Sequence, residues 1–162
     1  MAKVDRIESE SGNNMLRAVL QLYGRLMRGM TLGVRGVVLD SAGRVFLVRH
    51  SYTPGWHFPG GGVEPRENLV DALARELLEE GNLRIVGTPQ LHGMFRNAEG
   101  APRDHVAVFI VREFEQLSPP QPNWEIREAD FFPLSKLPAE TSAGTRRRLE
   151  EILYGAPVAP HW

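Results

Sequence analysis

The segment from Gly61 to Leu83, GGVEPRENLVDALARELLEEGNL, constrains the fold more than any other part of the chain. Its first residues are glycines, and its second half has apolar residues at helical spacing. The pattern predicts a helix over residues 68–80, because Asn68 suits the cap position and Asp71 stands where a capping partner belongs. The segment therefore combines a flexible loop with a helix that begins at a defined residue.

The predicted helix places three glutamates close together. With about 3.6 residues per turn, Glu76, Glu79 and Glu80 gather on one side, where we expect solvent. Such like-charged pairs destabilise a helix by about 0.2–0.5 kcal/mol each, and negative charge in the last turn also opposes the helix dipole. A divalent cation would remove both costs, and carboxylates suit Mg²⁺ or Mn²⁺. The alternative is a solvated acidic face. The residues expected on the core face are Val70, Leu73, Ala74, Leu77 and Leu78.

The segment resembles the Nudix box, the signature of the Nudix (MutT-like) hydrolases. The positions that agree with that signature are Gly61, Glu67, Arg75, Glu76, Leu77, Glu79, Glu80 and Leu83. Asn82 departs from it, since the family has glycine there. Asparagine is the best non-glycine residue for the left-handed conformation expected after a helix. The preceding WHFPGG is also similar to the family's approach to the box.

The resemblance implies a fold, a reaction and roles for individual residues. It implies a Nudix-type α/β/α sandwich with a mixed central sheet. It also implies hydrolysis of a phosphoanhydride bond in a nucleoside diphosphate linked to another moiety, by metal-activated water with Mg²⁺ or Mn²⁺. The implied ligands are Glu76, Glu79, Glu80 and the backbone carbonyl of Gly60, with Glu76 alternatively the general base. Arg75 would orient the glutamates and Glu67 would pair with Arg75. Which glutamate is the base stays open.

Residues outside the box are further candidates for the site. Glu125 is a candidate ligand or base, with a solvated loop edge as an equal alternative. Arg49 and His50 are candidates for contact with phosphates or a leaving group. Trp56 and Phe58 are candidates for stacking on a base, with core packing an equal alternative. We expect the arginines at 146–148, on the last predicted helix, to form a solvated face.

The order of predicted elements favours one domain in the α/β class. Strand-like segments precede, separate and follow two helices, which is typical of a mixed sheet with helices on its faces. We expect residues 1–12 to be disordered and residues 13–29 to form an amphipathic helix whose charged residues are all basic. Residues 30–154 are expected to form the Nudix domain and residues 155–162 a tail.

Composition excludes several classes of protein. The chain has 162 residues and no cysteine, which excludes disulfides, thiolate metal sites and cysteine nucleophiles. A formal net charge of -1 argues against a protein that coats nucleic acid, so no DNA partner is expected. No apolar run is long enough to span a bilayer, and the first residues lack the core of a signal peptide, so we expect a cytoplasmic location.

Two alternatives stay open. The chain could be a Nudix-fold nucleotide-binding or regulatory module without turnover, although the complete set of glutamates favours the hydrolase. The basic amphipathic helix is expected to pack against protein, either its own domain or a second copy in a homodimer. Membrane contact through that helix is the less favoured interpretation.

Overall fold

The computed structural model describes residues 29–97 and 103–162. The expected disorder of residues 1–12 and the expected helix over 13–29 fall outside this part of the chain, apart from residue 29. No helix in the described ranges is long and apolar enough to cross a membrane.

Seven strands and two helices make up the described part of the chain. In chain order they are β1 Thr31–Val38, β2 Arg44–His50, α1 Leu69–Gly81, β3 Leu83–Ile85, β4 Gln90–Arg96, β5 Asp104–Val111, β6 Phe114–Gln116, β7 Ile126–Pro133 and α2 Ala143–Tyr154. The main sheet has the order β1-β5-β4, with β1 parallel to β5 and β4 antiparallel to it. β2 pairs with β7 and β3 with β6, both antiparallel. The predicted mixed sheet is confirmed.

The main sheet lies between the two helices because its strands alternate in the direction of their side chains. One set of strand side chains packs with Leu73 and Leu77 of α1, and it includes Val34, Val38, Ala107 and Phe109. The other set packs with Leu149 of α2, and it includes Val37, Val106, Val108 and Ile110. The expected α/β/α sandwich is therefore confirmed.

Helix α1 spans Leu69–Gly81, so each end lies one residue further along the chain than the predicted range 68–80. Asn68 caps it as predicted. The side chain of Asn68 accepts hydrogen bonds from the amides of Val70 and Asp71 and donates to the carboxylate of Asp71. At the other end Asn82 is left-handed, with φ 51°, and its amide donates to carbonyls of the last turn. The departure from glycine at this position is thus accommodated.

The buried face of α1 differs from the prediction. Ala72, Leu73 and Leu77 are buried, whereas Val70 and Leu78 are 42% and 44% exposed. The buried stripe follows spacings of three and four residues and reaches Glu80, which is only 6% exposed. The expectation that all three glutamates face solvent was therefore wrong for Glu80, and the side chain of Glu76 is also only 13% exposed, because the end of the helix packs against the loop before it.

The expected solvated face of α2 was wrong for Arg148, whereas Arg146 and Arg147 are partly exposed. Arg148 is fully buried, on a helix whose N-terminus is capped by Ser142. The guanidinium of Arg148 lies 3.8 Å from the ring centroid of Phe95, and it donates to Glu151 at 2.6 Å. A buried arginine is tolerated when such partners compensate its charge.

Two neighbouring leucines of α1 test the observed core face. We expect Leu77→Ala to lower the free energy of unfolding by about 2–5 kcal/mol, because it opens a cavity between α1 and the sheet. Leu78→Ala is the matched control and should cost about 1 kcal/mol or less, because that side chain is largely exposed. Urea denaturation of both variants measures the difference. Equal losses would contradict the orientation of the helix.

Candidate active site

A glycine-containing loop is held beside β1. The amides of Val34 and Gly36 each donate to carbonyls of residues 59–61 at 2.9 Å, so the loop runs along the edge of β1 that does not pair with β5. Gly60 has φ 138°, a conformation that side chains rarely adopt, and a Cβ there would lie 3.0 Å from the Cα of Arg35. Glycine at this position therefore allows loop and strand to approach closely.

Glu80 joins the end of α1 to this loop. Its Oε2 accepts a hydrogen bond from the amide of Gly60 at 2.7 Å. Burial raises the pKa of Glu80 to about 8, and the hydrogen bond from Gly60 and the charge of Arg35 only partly oppose that effect. The carboxyl group is therefore largely protonated at neutral pH unless another positive charge approaches it.

Pairing of β2 with β7 brings two more side chains to Glu80. His50 ends β2, and the next amide, that of Ser51, donates to the carbonyl of Glu125 at 2.8 Å just before β7 begins. The Nε2 of His50 lies 3.7 Å from Oε1 of Glu80. One potential ligand atom from each of His50, Glu80 and Glu125 lies within 4.8 Å of the others. The three residues together could hold a metal ion.

His50 is neutral in this setting. It is 7% exposed, and burial, assisted by the charge of Arg35, lowers its pKa to about 4. Its Nδ1 has no hydrogen-bond partner in the described part of the chain. At neutral pH the contact between His50 and Glu80 is thus one between two largely uncharged groups, and not an ion pair.

Arg75 holds the remaining carboxylates of the box. It donates to both oxygens of Glu67 at 3.0 and 3.1 Å, to Glu76 at 2.7 Å and to Glu79 at 3.4 Å. A fifth hydrogen bond, at 3.0 Å, reaches the carbonyl of Gly62 in the loop. The guanidinium therefore fixes the glutamates relative to the loop, and the predicted contact between Arg75 and Glu67 is present.

Glu76 lies directly against the loop. A Cβ on Gly61 would stand 2.6 Å from the carboxyl carbon of Glu76, so a side chain at residue 61 would displace this carboxylate. Burial raises the pKa of Glu76, while the hydrogen bond and charge of Arg75 lower it. Glycine at 61 thus lets the helix present Glu76 beside the loop backbone.

Arg35 is a site residue that sequence reasoning missed. It projects from β1 and its Nη1 donates to the carbonyl of Gly60, among the carboxylates. In the ranges that the structure describes it forms no ion pair, although its charge acts on Glu76 and Glu80. The signal available in the sequence was a lone arginine inside the valine-rich strand TLGVRGVV.

Some of these groups border a cavity of about 500 Å³, whereas Glu80 and His50 lie behind its lining. Its lining includes Arg35, Glu76, Glu79 and Glu125, together with the backbone of residues 60–62. Glu125 also accepts a hydrogen bond from the hydroxyl of Tyr52 at 3.0 Å. A cavity that combines carboxylates with arginine is suited to a cation and to the phosphates that the cation and arginine would bind together.

Three other predicted residues lie elsewhere. Arg49 pairs with Glu128 at 3.2 Å and with Glu140 at 3.1 Å, and it does not line the cavity. Trp56 and Phe58 are 8% and 0% exposed and belong to the core cluster beside α2. Both aromatic side chains therefore pack in this core cluster and do not line the cavity.

Comparison with known proteins agrees with this geometry. The sequence profile of the NUDIX domain matches residues 29–152. The chain belongs to the Nudix family. A crystal structure of a MutT NUDIX hydrolase from Burkholderia pseudomallei is similar, with a TM-score of 0.64 over 75% of this chain and 97% of that one. At 22% identity this likeness concerns the fold alone.

Curated relatives of this Nudix chain match over shorter stretches. An 8-oxo-dGTP diphosphatase from Buchnera aphidicola is 51% identical over 49 residues, which are 30% of this chain and 40% of that protein. An RNA pyrophosphohydrolase from Legionella pneumophila (strain Corby) is 37% identical over 65 residues, 37% of each chain. The chain thus matches less than half the length of either relative.

The pKa of Glu80 predicts how stability depends on pH when divalent ions are removed. Between pH 6.5 and about 8 the folded state keeps a proton on Glu80 that the unfolded state has lost, so raising the pH lowers the free energy of unfolding. Below pH 6.5 the depressed pKa values of His50 and His57 act in the opposite direction.

Urea denaturation at pH 6.5 and 8 with a chelator measures this effect. In Glu80→Gln, most of the decrease in the free energy of unfolding between pH 6.5 and 8 should disappear. Glu79→Gln, which changes a side chain that is 58% exposed, should show the same decrease as the wild type. An unchanged pH dependence in Glu80→Gln would show that another group is responsible.

Proposed function

We propose that this Nudix chain is a metal-dependent hydrolase of a phosphoanhydride bond in a nucleoside diphosphate linked to another moiety. The observation that carries the proposal is the buried carboxyl of Glu80, held by the amide of Gly60 beside Glu76 and Glu125. A buried acid crowded by other acids is unfavourable unless a positive charge compensates it. A cation at this point would provide that charge.

The donor groups suit Mg²⁺ or Mn²⁺. The proposed ligands are carboxylate oxygens of Glu76, Glu79 and Glu80 and the carbonyl of Gly60, with Glu125 close to Glu80. Hard oxygen ligands are those these cations prefer. The carbonyl of Gly60 already accepts from Arg35, and a carbonyl oxygen has a second lone pair for a cation. When bound, the cation neutralises phosphate oxygens and lowers the pKa of water.

The chain's own residues orient the reacting groups. Arg75 holds Glu76 and Glu79 in fixed positions at the cavity, where either carboxylate can take the proton of the attacking water. Arg35 places a guanidinium at the cavity, where it can bind phosphate oxygens. The segment Gly61–Leu83 contains no serine, cysteine or histidine, which favours direct attack by water over a covalent intermediate.

The names of the relatives agree with a nucleotide substrate. One is named for 8-oxo-dGTP and the other for RNA. The substrate we propose is a small molecule with at least two linked phosphates, since the leaving phosphate then departs as an anion that cation and arginine can bind together. Simple phosphate monoesters should therefore be poor substrates.

Glu80→Gln tests the metal site with a neutral side chain of nearly the same shape. We expect turnover with Mg²⁺ or Mn²⁺ to fall by about two orders of magnitude or more, because a ligand charge is lost. Mn²⁺ affinity, measured by calorimetry without substrate, should fall as well. Glu150→Gln, on the exposed side of α2, is the matched control and should behave as wild type. Undiminished Mn²⁺ binding in Glu80→Gln would remove this residue from the metal site.

Isotope labelling tests the chemistry. A panel of nucleoside triphosphates, dinucleoside polyphosphates, nucleotide sugars and capped RNA would first identify a substrate. In ¹⁸O-labelled water we expect the label on a phosphate product, commonly a nucleoside monophosphate, because water attacks phosphorus. Label in a sugar hydroxyl, or a trapped covalent adduct, would show a different reaction. Tight binding of nucleotide without turnover would instead support a binding module.

A further inference from the structure

The cavity continues beyond the carboxylates to the far end of the main sheet. There its lining includes Thr31 of β1, Asp104 and Val106 of β5, and Trp162. The residues between the two ends are Gly33 and Arg35 of β1. The carboxylates of Glu76 and Glu79 and the residue Trp162 therefore border one continuous space of about 500 Å³, a volume within the range of ligand pockets.

Trp162 reaches the cavity because the last residues of the chain run beside β4. The amide of Arg96 donates to the carbonyl of Pro160 at 3.2 Å, and the amide of Trp162 donates to the carbonyl of Arg96 at 2.9 Å. The segment expected to be a tail, residues 155–162, thus forms an isolated parallel bridge to the end of β4, between His161 and Arg96. It follows residue 152, where the match to the NUDIX domain ends.

A buried charged cluster on α2 holds this segment in place. Glu151 accepts hydrogen bonds from Arg148 at 2.6 Å, from the amide of Ala159 at 3.0 Å and from His92 at 2.9 Å. Arg148 also donates to the carbonyl of His161 at 3.3 Å. Buried charges are tolerated when they are paired and hydrogen-bonded, and here the segment supplies part of that bonding.

The indole of Trp162 is fixed by packing. Its ring lies 6.4 Å from Phe58 and 6.5 Å from Phe95 between centroids, both in edge-on geometry. A Cβ on Gly144 would stand 2.7 Å from its Nε1, so the absence of a side chain at 144 gives the indole its space. A ring that is already ordered loses little conformational entropy when a ligand binds to it.

We propose that Trp162 is the surface on which the aromatic base of the substrate stacks, while the phosphates lie beside Glu76 and Glu79. This assignment rests on the proposed function for the position of the phosphates. It makes Trp162 a specificity-determining residue that favours substrates with a flat aromatic base over diphosphates that lack one. Stacking on an aromatic side chain tolerates any base, because every base presents a π face.

Calorimetry with two ligands tests the assignment in the absence of turnover. The ligands are a nucleoside monophosphate, used as each of the four common bases, and ribose 5-phosphate, which lacks the base. We expect the wild type to bind at least one monophosphate more tightly than ribose 5-phosphate. Trp162→Ala should weaken that binding by about 5- to 150-fold. Its affinity for ribose 5-phosphate should stay the same.

Further variants separate stacking from packing. Trp162→Leu retains apolar volume without a π face and should lose affinity as Trp162→Ala does, whereas Trp162→Phe should retain most of it. Val158→Ala, in the same segment but 59% exposed, is the matched control and should bind as wild type. Equal affinity of the wild type for both ligands, or wild-type affinity in Trp162→Leu, would overturn the proposal.

Turnover then distinguishes this proposal from the proposed function. If the panel yields a substrate, Trp162→Leu should raise KM for it and change kcat little. An unchanged KM would contradict the stacking site and leave the hydrolase proposal intact. If the panel yields no hydrolysis but monophosphate binding still depends on the indole, the stacking site stands and the hydrolase proposal fails.

Discussion

The hydrogen bond between Glu80 and the amide of Gly60 connects the two parts on which the site depends, the end of α1 and the loop beside β1. The loop can lie beside β1 because Gly60 adopts a backbone conformation that residues with a side chain rarely adopt. The helix is held in position because Leu73 and Leu77 pack against the sheet. The acid that makes this contact is buried at a cost in solvation. The rest of the fold therefore keeps Glu80 in a position where burial disfavours its charged form. Acidic groups with pKa values perturbed in this way are characteristic of functional sites.

Local signals in the sequence predicted α1 well, whereas burial depended on residues far along the chain. Asn68 and Asn82 mark the ends of the helix through interactions with their own neighbours, so their roles were predictable. The burial of Glu80 results from contact with a loop 20 residues earlier, and its approach to Glu125 requires the pairing of β2 with β7. A projection of the helix alone cannot show either contact, because both involve residues outside the helix. The prediction from that projection therefore placed all three glutamates in solvent.

The burial of Arg148 was unpredictable for a similar reason. Three consecutive arginines normally indicate a solvated helix face. Arg148 is buried because Glu151, Phe95 and the carbonyl of His161 together compensate its charge, and two of these lie on other elements. Arg35, in contrast, carried a signal that could have been used, since a single charge within an otherwise apolar strand requires an explanation.

The two ends of the cavity come from different parts of the chain, and this has an evolutionary consequence. Glu76 and Glu79 of α1 border one end, while Trp162 at the other end belongs to a segment beyond the matched domain that α2 holds in place. Substitutions in that segment can reshape one end of the cavity without disturbing the hydrogen bonds that hold the glutamates. Descendants of such a chain could acquire new substrates by small changes after residue 154 while they inherit the same hydrolytic apparatus.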